Sequence, residues 1–151
     1  VYGIKGGANR KSGFIKRSGI TKNKEWIDKF KLFISKAYSA DAVTPPELIV
    51  ADSNVICSET FLVIGPFEDK IEQTNCKKYF DTNFFKILLF FGRGTMQVSQ
   101  EVFRFVPLQD FSNSSDICWN KSVPEIDEQL YSKYGFTEQE IAFIETMIKS
   151  M

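Results

Sequence analysis

The chain has 151 residues, 43% of them hydrophobic and 15% aromatic, with 19 basic and 19 acidic side chains and no histidine. Such a chain is long and apolar enough for one domain with a real core, and it is not disordered; the missing histidine removes the commonest general base. Cys57, Cys76 and Cys118 lie far apart without a CxxC pair, which argues against a disulfide framework and a zinc site.

No apolar run reaches the length of a membrane span and no signal peptide opens the chain, so the expected setting is cytoplasmic, with no membrane partner. The start at Val1-Tyr2-Gly3-Ile4 lacks an initiating Met and already reads as strand, which suggests a fragment of a longer protein, whereas the C-terminus reads as natural.

The net charge of zero conceals an uneven distribution. Residues 1–36 hold ten Lys or Arg against two acids, Glu25 and Asp28, a net +8 that leaves −8 for the remainder. A division of that kind suggests a basic face for a polyanion. Residues 1–4 and 13–17 read as two short strands joined by the turn Gly6-Gly7-Ala8-Asn9-Arg10-Lys11-Ser12, a basic hairpin. Its tip is either an ordinary solvated loop or a phosphate contact built from backbone amides and cations. On the second reading the phosphate-binding candidates are Lys5, Asn9, Arg10, Lys11, Lys16, Arg17, Lys22 and Lys24. A P-loop is not supported, because Arg10 stands where that pattern requires glycine.

Residues 21–30 read as a short helix with Trp26, Ile27 and Phe30 on one side, followed by a strand over 31–36 and a loop over 39–46. Trp26 suits the core better than a base-stacking platform, given its helical spacing from Phe30. Residues 48–50 and 55–64 read as strands, the second ended by Gly65-Pro66, and 68–80 as a helix burying Ile71, Tyr79 and Phe80.

The stretch from Lys77 to Val106 organises the rest. Asp81 or Thr82 caps a helix over 83–91 that is apolar at every position from Phe84 to Phe91 except Lys86, so it faces core on most sides. Gly92-Arg93-Gly94 ends it, residues 95–100 form a polar arc, and 101–106 alternate as a strand up to Pro107. Arg93, Gln97, Ser99, Gln100 and Arg104 are base-reading candidates, since Arg pairs with guanine and Gln with adenine through two-point contacts. Taken without the basic hairpin, these five would be an ordinary polar turn.

Residues 109–120 read as a polar connector anchored by Trp119. Ser122-Val123-Pro124-Glu125 and Thr137-Glu138-Gln139-Glu140 are capping boxes opening two helices separated by Gly135. Ile126, Leu130 and Tyr134, then Ile141, Ile144 and Ile148, supply the apolar stripes of a helical hairpin.

Catalytic patterns are sparse. Thr44-Pro45-Pro46-Glu47 lacks the Asp or Asn before and the aromatic after that a base-amino methyltransferase turn requires, and no glycine-rich turn for the methyl donor is present. Glu68-Asp69-Lys70 with Asp52 or Glu59 has the spacing of a Mg²⁺-dependent nuclease, but its place after Gly65-Pro66 suits acids at a helix start. Cys57 beside Ser58 has no histidine to activate it and suits a core thiol.

Three segments carry a family resemblance: Ser58-Glu59-Thr60-Phe61-Leu62-Val63-Ile64-Gly65, Tyr79-Phe80-Asp81-Thr82-Asn83-Phe84-Phe85-Lys86-Ile87-Leu88-Leu89, and Phe105-Val106-Pro107-Leu108-Gln109-Asp110-Phe111. In that order they resemble the C-terminal region of bacterial restriction-modification enzymes with an adenine-specific DNA methyltransferase core. Trp119, Ile126-Asp127-Glu128-Gln129-Leu130-Tyr131, Lys133-Tyr134-Gly135-Phe136-Thr137 and Glu140-Ile141-Ala142-Phe143-Ile144-Glu145 resemble the ending of that group.

The resemblance implies a target recognition domain that selects double-stranded DNA for the methyltransferase catalytic domain of the same polypeptide. It implies no cofactor in this fragment and S-adenosylmethionine in the parent protein. The recognition surface varies in such families, so the resemblance transfers no base-reading residue. The expected fold is α+β: a mixed or antiparallel sheet packed against two central helices, with a C-terminal helical hairpin. Residues 1–111 would form the recognition core and 112–151 the connector and hairpin. A metal-dependent restriction endonuclease domain and a protein-interaction module of the same complex are the alternatives.

Overall fold

The computed structural model describes residues 1–4, 11–37, 45–92 and 99–149, apart from the side chains of Ile4 and Lys149. The fold is α+β. Strands β3 (Phe30–Ser35), β4 (Ile49–Ala51) and β5 (Phe61–Phe67) form an antiparallel sheet in the order β4-β3-β5, and β1 (Tyr2–Ile4) pairs with β2 (Lys11–Ser12) as a separate ribbon. Helices α1 (Lys70–Asp81) and α2 (Asn83–Gly92) are the expected central pair, and α3 (Val123–Lys133) and α4 (Glu138–Lys149) the expected hairpin. No described helix is long and apolar enough to cross a membrane.

The period of two in β3 assigns its faces. Leu32 and Ile34 enter the main core with Tyr79, Phe84, Phe85, Ile126 and Leu130. Phe33 enters a second cluster with Ala51 and Phe61, against which Tyr2, Val55, Cys57 and Val63 pack. The sheet is thus covered by helices on one side and by the N-terminal ribbon on the other. Tyr2 secures the ribbon: its N–H donates to Ile56 O at 2.6 Å, its carbonyl accepts from Ser58 N–H at 2.9 Å, and its ring meets Phe61 edge-on at 5.5 Å. Gln73 of α1 ties the other face, its buried amide donating to Lys31 O at 2.6 Å and Ala51 O at 3.0 Å.

Helix α1 starts where Asp69 accepts from the N–H groups of Ile71 and Glu72, at 2.8 and 2.9 Å. It stops at Thr82, whose hydroxyl donates to Tyr79 O at 2.6 Å and accepts from Phe85 N–H at 3.1 Å. The next two free amides of α2, Asn83 and Phe84, are met from another helix by Asp127 of α3, at 2.9 and 2.8 Å. Glu125 accepts from Ser122 N–H at 2.9 Å, and Glu140 and Thr137 cap each other. Gly135, at φ +68°, lets Phe136 N–H turn back to Tyr131 O at 2.9 Å and seats the Phe136 ring against Tyr131 and Phe84.

Five expectations are corrected. Residues 101–106 lie in a 3-10 turn, Gln100–Phe105, instead of a strand; burial falls on Val102, Phe103 and Val106, a helical spacing, and the turn closes on the end of α2. A Cβ at Gly92 would come within 2.9 Å of Val102 O, so that closure requires glycine. Residues 21–30 form only the 3-10 turn Lys24–Trp26, with Phe30 already in β3.

Residues 13–17 do not continue β2: reciprocal bonds between Val1 and Gly13, at 2.7 and 3.0 Å, end the ladder, and Arg17–Gly19 turns as a 3-10 helix. Strand β5 begins only at Phe61 and passes through Gly65-Pro66, where a register shift against β3 absorbs the irregularity and an edge strand tolerates proline. Ile71 of α1 and Tyr134 at the end of α3 are exposed, as is Phe91, so the α2 helix buries less of its circumference than its composition suggests.

Candidate nucleic-acid interface

The N-terminal cations separate into two groups. Lys31 is 3% exposed, and its ammonium donates to the carbonyls of Trp26, Ile27 and Lys29 at 2.7, 3.2 and 2.7 Å. Burial lowers its pKa, opposed by the charges of Asp28 and Cys57. Lys29 pairs with Glu68 at 2.5 Å, and Arg17 pairs with Asp28, which raises the Arg17 pKa and lowers that of Asp28. Lys11, Lys16, Lys22 and Lys24 are exposed and form no ion pair with any described residue. The net charge of the segment therefore overstates what is available to a ligand, and among the described residues these four lysines are its exposed, unpaired cations. Lys5, Asn9 and Arg10 lie outside the described residues, as do Arg93 and Gln97.

The remaining base-reading candidates share one turn. Ser99 stands at its N-cap position, Gln100 and Arg104 lie within it, and all three are exposed. Arg104 is already engaged: its guanidinium lies 3.7 Å from Glu101 and 4.6 Å from the Phe105 ring centroid. The turn packs on the main core through Val102 and Phe103, the Leu32 and Ile34 side of the sheet, whereas the ribbon leading to Lys11 packs on the Phe33 side. Lys11, on the ribbon, and Gln100, on the turn, are thus mounted on opposite faces of the sheet.

The nuclease-like residues are occupied otherwise. Asp69 caps α1, Glu68 holds Lys29, and Lys70 pairs with Asp52 at 3.1 Å. Among the described residues no three His, Cys, Asp or Glu gather as a metal site. Cys57 is half-buried, with its pKa raised by that burial, and it bridges the ribbon to the sheet at Tyr2. Trp26 is half-buried.

An apolar cleft of about 580 Å³ opens between β5, α1 and the segment after the 3-10 turn, with Ile64, Phe80, Phe103 and Leu108 in its walls and Gln100 at its margin. Leu108 is 90% exposed. Comparison with protein-family models, with curated proteins and with solved structures gave no significant match.

Sequence reasoning missed three side chains. Asp127 is 4% exposed, and burial raises its pKa against the pull of the two amide bonds it accepts; its signal was the pairing of Asp127 with Tyr131 beside Ile126 and Leu130, which widens the buried stripe of α3. Lys31 gave no signal, since an alternating strand normally turns lysine outward. Phe14 is fully exposed beside Lys16, and its apolar character had placed it in a strand.

Proposed function

We propose that this domain binds double-stranded DNA and serves as the target recognition part of an adenine-specific DNA methyltransferase or fused restriction-modification enzyme. The observation that carries the reading is the segment 11–24, where Lys11, Lys16, Lys22 and Lys24 stay exposed without an ion pair to any described residue, while Arg17 and Lys29 are paired with acids and Lys31 is buried on backbone carbonyls. Free lysines concentrated on one short segment suit phosphate contact, which supplies affinity without sequence information.

Base discrimination would then come from Gln100, Ser99 and Arg104, with Arg93 and Gln97, on a duplex that reaches around the edge of the sheet. Catalysis and S-adenosylmethionine binding belong, on this reading, to the catalytic domain of the same polypeptide. The apolar cleft beside Leu108 favours a second role, docking onto that domain.

The test is a fluorescence-anisotropy titration of a mixed-sequence duplex at low salt with the full chain and with a variant carrying Lys→Glu at positions 11, 16, 22 and 24. The expected result is saturable binding that the variant weakens on every sequence. Equal binding by both proteins would refute the assignment of these lysines. Gln100→Ala should instead change the preference among sequences, each two-point contact contributing about 1–3 kcal/mol of discrimination.

A further inference from the structure

The segment that carries the free lysines also carries a second, unexplained feature. Phe14 is 106% exposed and Ile15 54% exposed, two adjacent large apolar side chains held in water between Lys11 and Lys16. Among the described residues neither packs into the main core or the second cluster. Their base is fixed on both sides. The reciprocal Val1 and Gly13 hydrogen bonds close the ribbon immediately before Phe14, and the Arg17 to Asp28 pair holds the chain just after Lys16.

We propose that Phe14 and Ile15 form a wedge that enters a base step of bound duplex DNA and unstacks it, while Lys11, Lys16, Lys22 and Lys24 hold the flanking phosphates. The inference rests on the duplex-binding reading above and adds a mode of binding to it. An apolar pair flanked by cations is complementary to a stack of flat bases flanked by phosphates, and apolar side chains inserted at a step kink the duplex and widen the contact. The same arrangement has some affinity for an anionic lipid surface. Two side chains on a turn offer little area to a bilayer, however, whereas a single side chain suffices at a base step. Pyrimidine–purine steps, which unstack most readily, are the preferred point of entry.

The test uses the full chain and a duplex with 2-aminopurine at a central pyrimidine–purine step, reading anisotropy for binding and 2-aminopurine emission for unstacking. The wild-type chain is expected to raise both. The double variant Phe14→Ala/Ile15→Ala should bind on the order of tenfold more weakly, the scale of one lost base–aromatic contact, and leave emission at the level of free DNA. Phe14→Trp should restore the rise. All three proteins should unfold at the same temperature, because both side chains are exposed.

Bound duplex with unchanged emission would overturn the wedge and leave the duplex-binding reading standing. A flat anisotropy trace at low salt would overturn both. Phe14-dependent association with phosphatidylserine vesicles, without any rise in emission on DNA, would overturn the wedge in favour of a lipid surface.

Discussion

The corner between α1 and α2 and the loop after β2 both set phenylalanine close to lysine, and they treat the two residue types in opposite ways. At the corner, Phe84 and Phe85 are buried, Lys86 donates to Asp81 O at 2.6 Å, and Lys77 pairs with Asp81 at 2.9 Å. The amides that open α2 are met by Thr82 and Asp127. In the loop, Phe14 and Ile15 join neither core cluster, and Lys11 and Lys16 pair with no described acid. A region that satisfies its polar groups and buries its rings within the chain supports the fold. A region that leaves both in solvent is open to a partner.

The contrast breaks most sharply at Phe84, which meets Tyr79, Tyr131, Tyr134 and Phe136. Phe84→Ala should cost about 3–5 kcal/mol in urea unfolding, while Phe14→Ala should stay within about 0.5 kcal/mol of wild type. Comparable losses at both positions would erase the distinction.

Asp127 comes next. Asp127→Asn keeps one acceptor but turns a donor toward an N–H, and should cost about 1–3 kcal/mol at neutral pH. The pH dependence sharpens the test. Because burial raises the folded pKa above the ordinary value of 3.8, the folded chain binds more protons in that interval, and stability falls as pH rises from 3.8 through the raised value. That local slope should vanish in Asp127→Asn.

The smallest effect belongs to the exposed cap of α3. Hydrogen bonds from Ser122, with Lys121 assisting, lower Glu125 from 4.5 to about 2. Its contribution is therefore present above pH 4.5 and lost as pH falls toward about 2. Protection of the α3 first turn against hydrogen exchange, relative to the intrinsic rate at each pH, should fall over that interval, and Glu125→Ala, which removes the capping-box partner, should be weakly protected throughout.

The sequence made the helical half of the fold legible because its determinants are local. The capping residues at Ser122 and Thr137, the stop at Thr82 and the buried spacing of α2 and α3 can all be read over four or five residues. The sheet half depended on contacts distant in the chain. Lys31 is buried by donating to the carbonyls of Trp26, Ile27 and Lys29, an arrangement set by Phe30 entering β3 that no local periodicity announces.

The 3-10 turn at Gln100–Phe105 forms because α2 ends beside it and no strand does. Its apolar residues fit either period until that neighbour is known. The same applies to the candidate site: charge and residue type identified Lys11, Lys16, Lys22 and Lys24, but only the strand faces reveal that the ribbon bearing Lys11 and the turn bearing Gln100 lie on opposite sides of the sheet.

The salt dependence of duplex affinity tests the division between a self-contained corner and an outward-facing loop most directly. If Lys11, Lys16, Lys22 and Lys24 each neutralise a phosphate, the logarithm of the binding constant should fall against the logarithm of salt concentration with a slope steeper by about 3–4 than in the variant with Lys→Glu at all four positions, at roughly 0.9 per contact. Equal slopes for the two proteins would contradict the account.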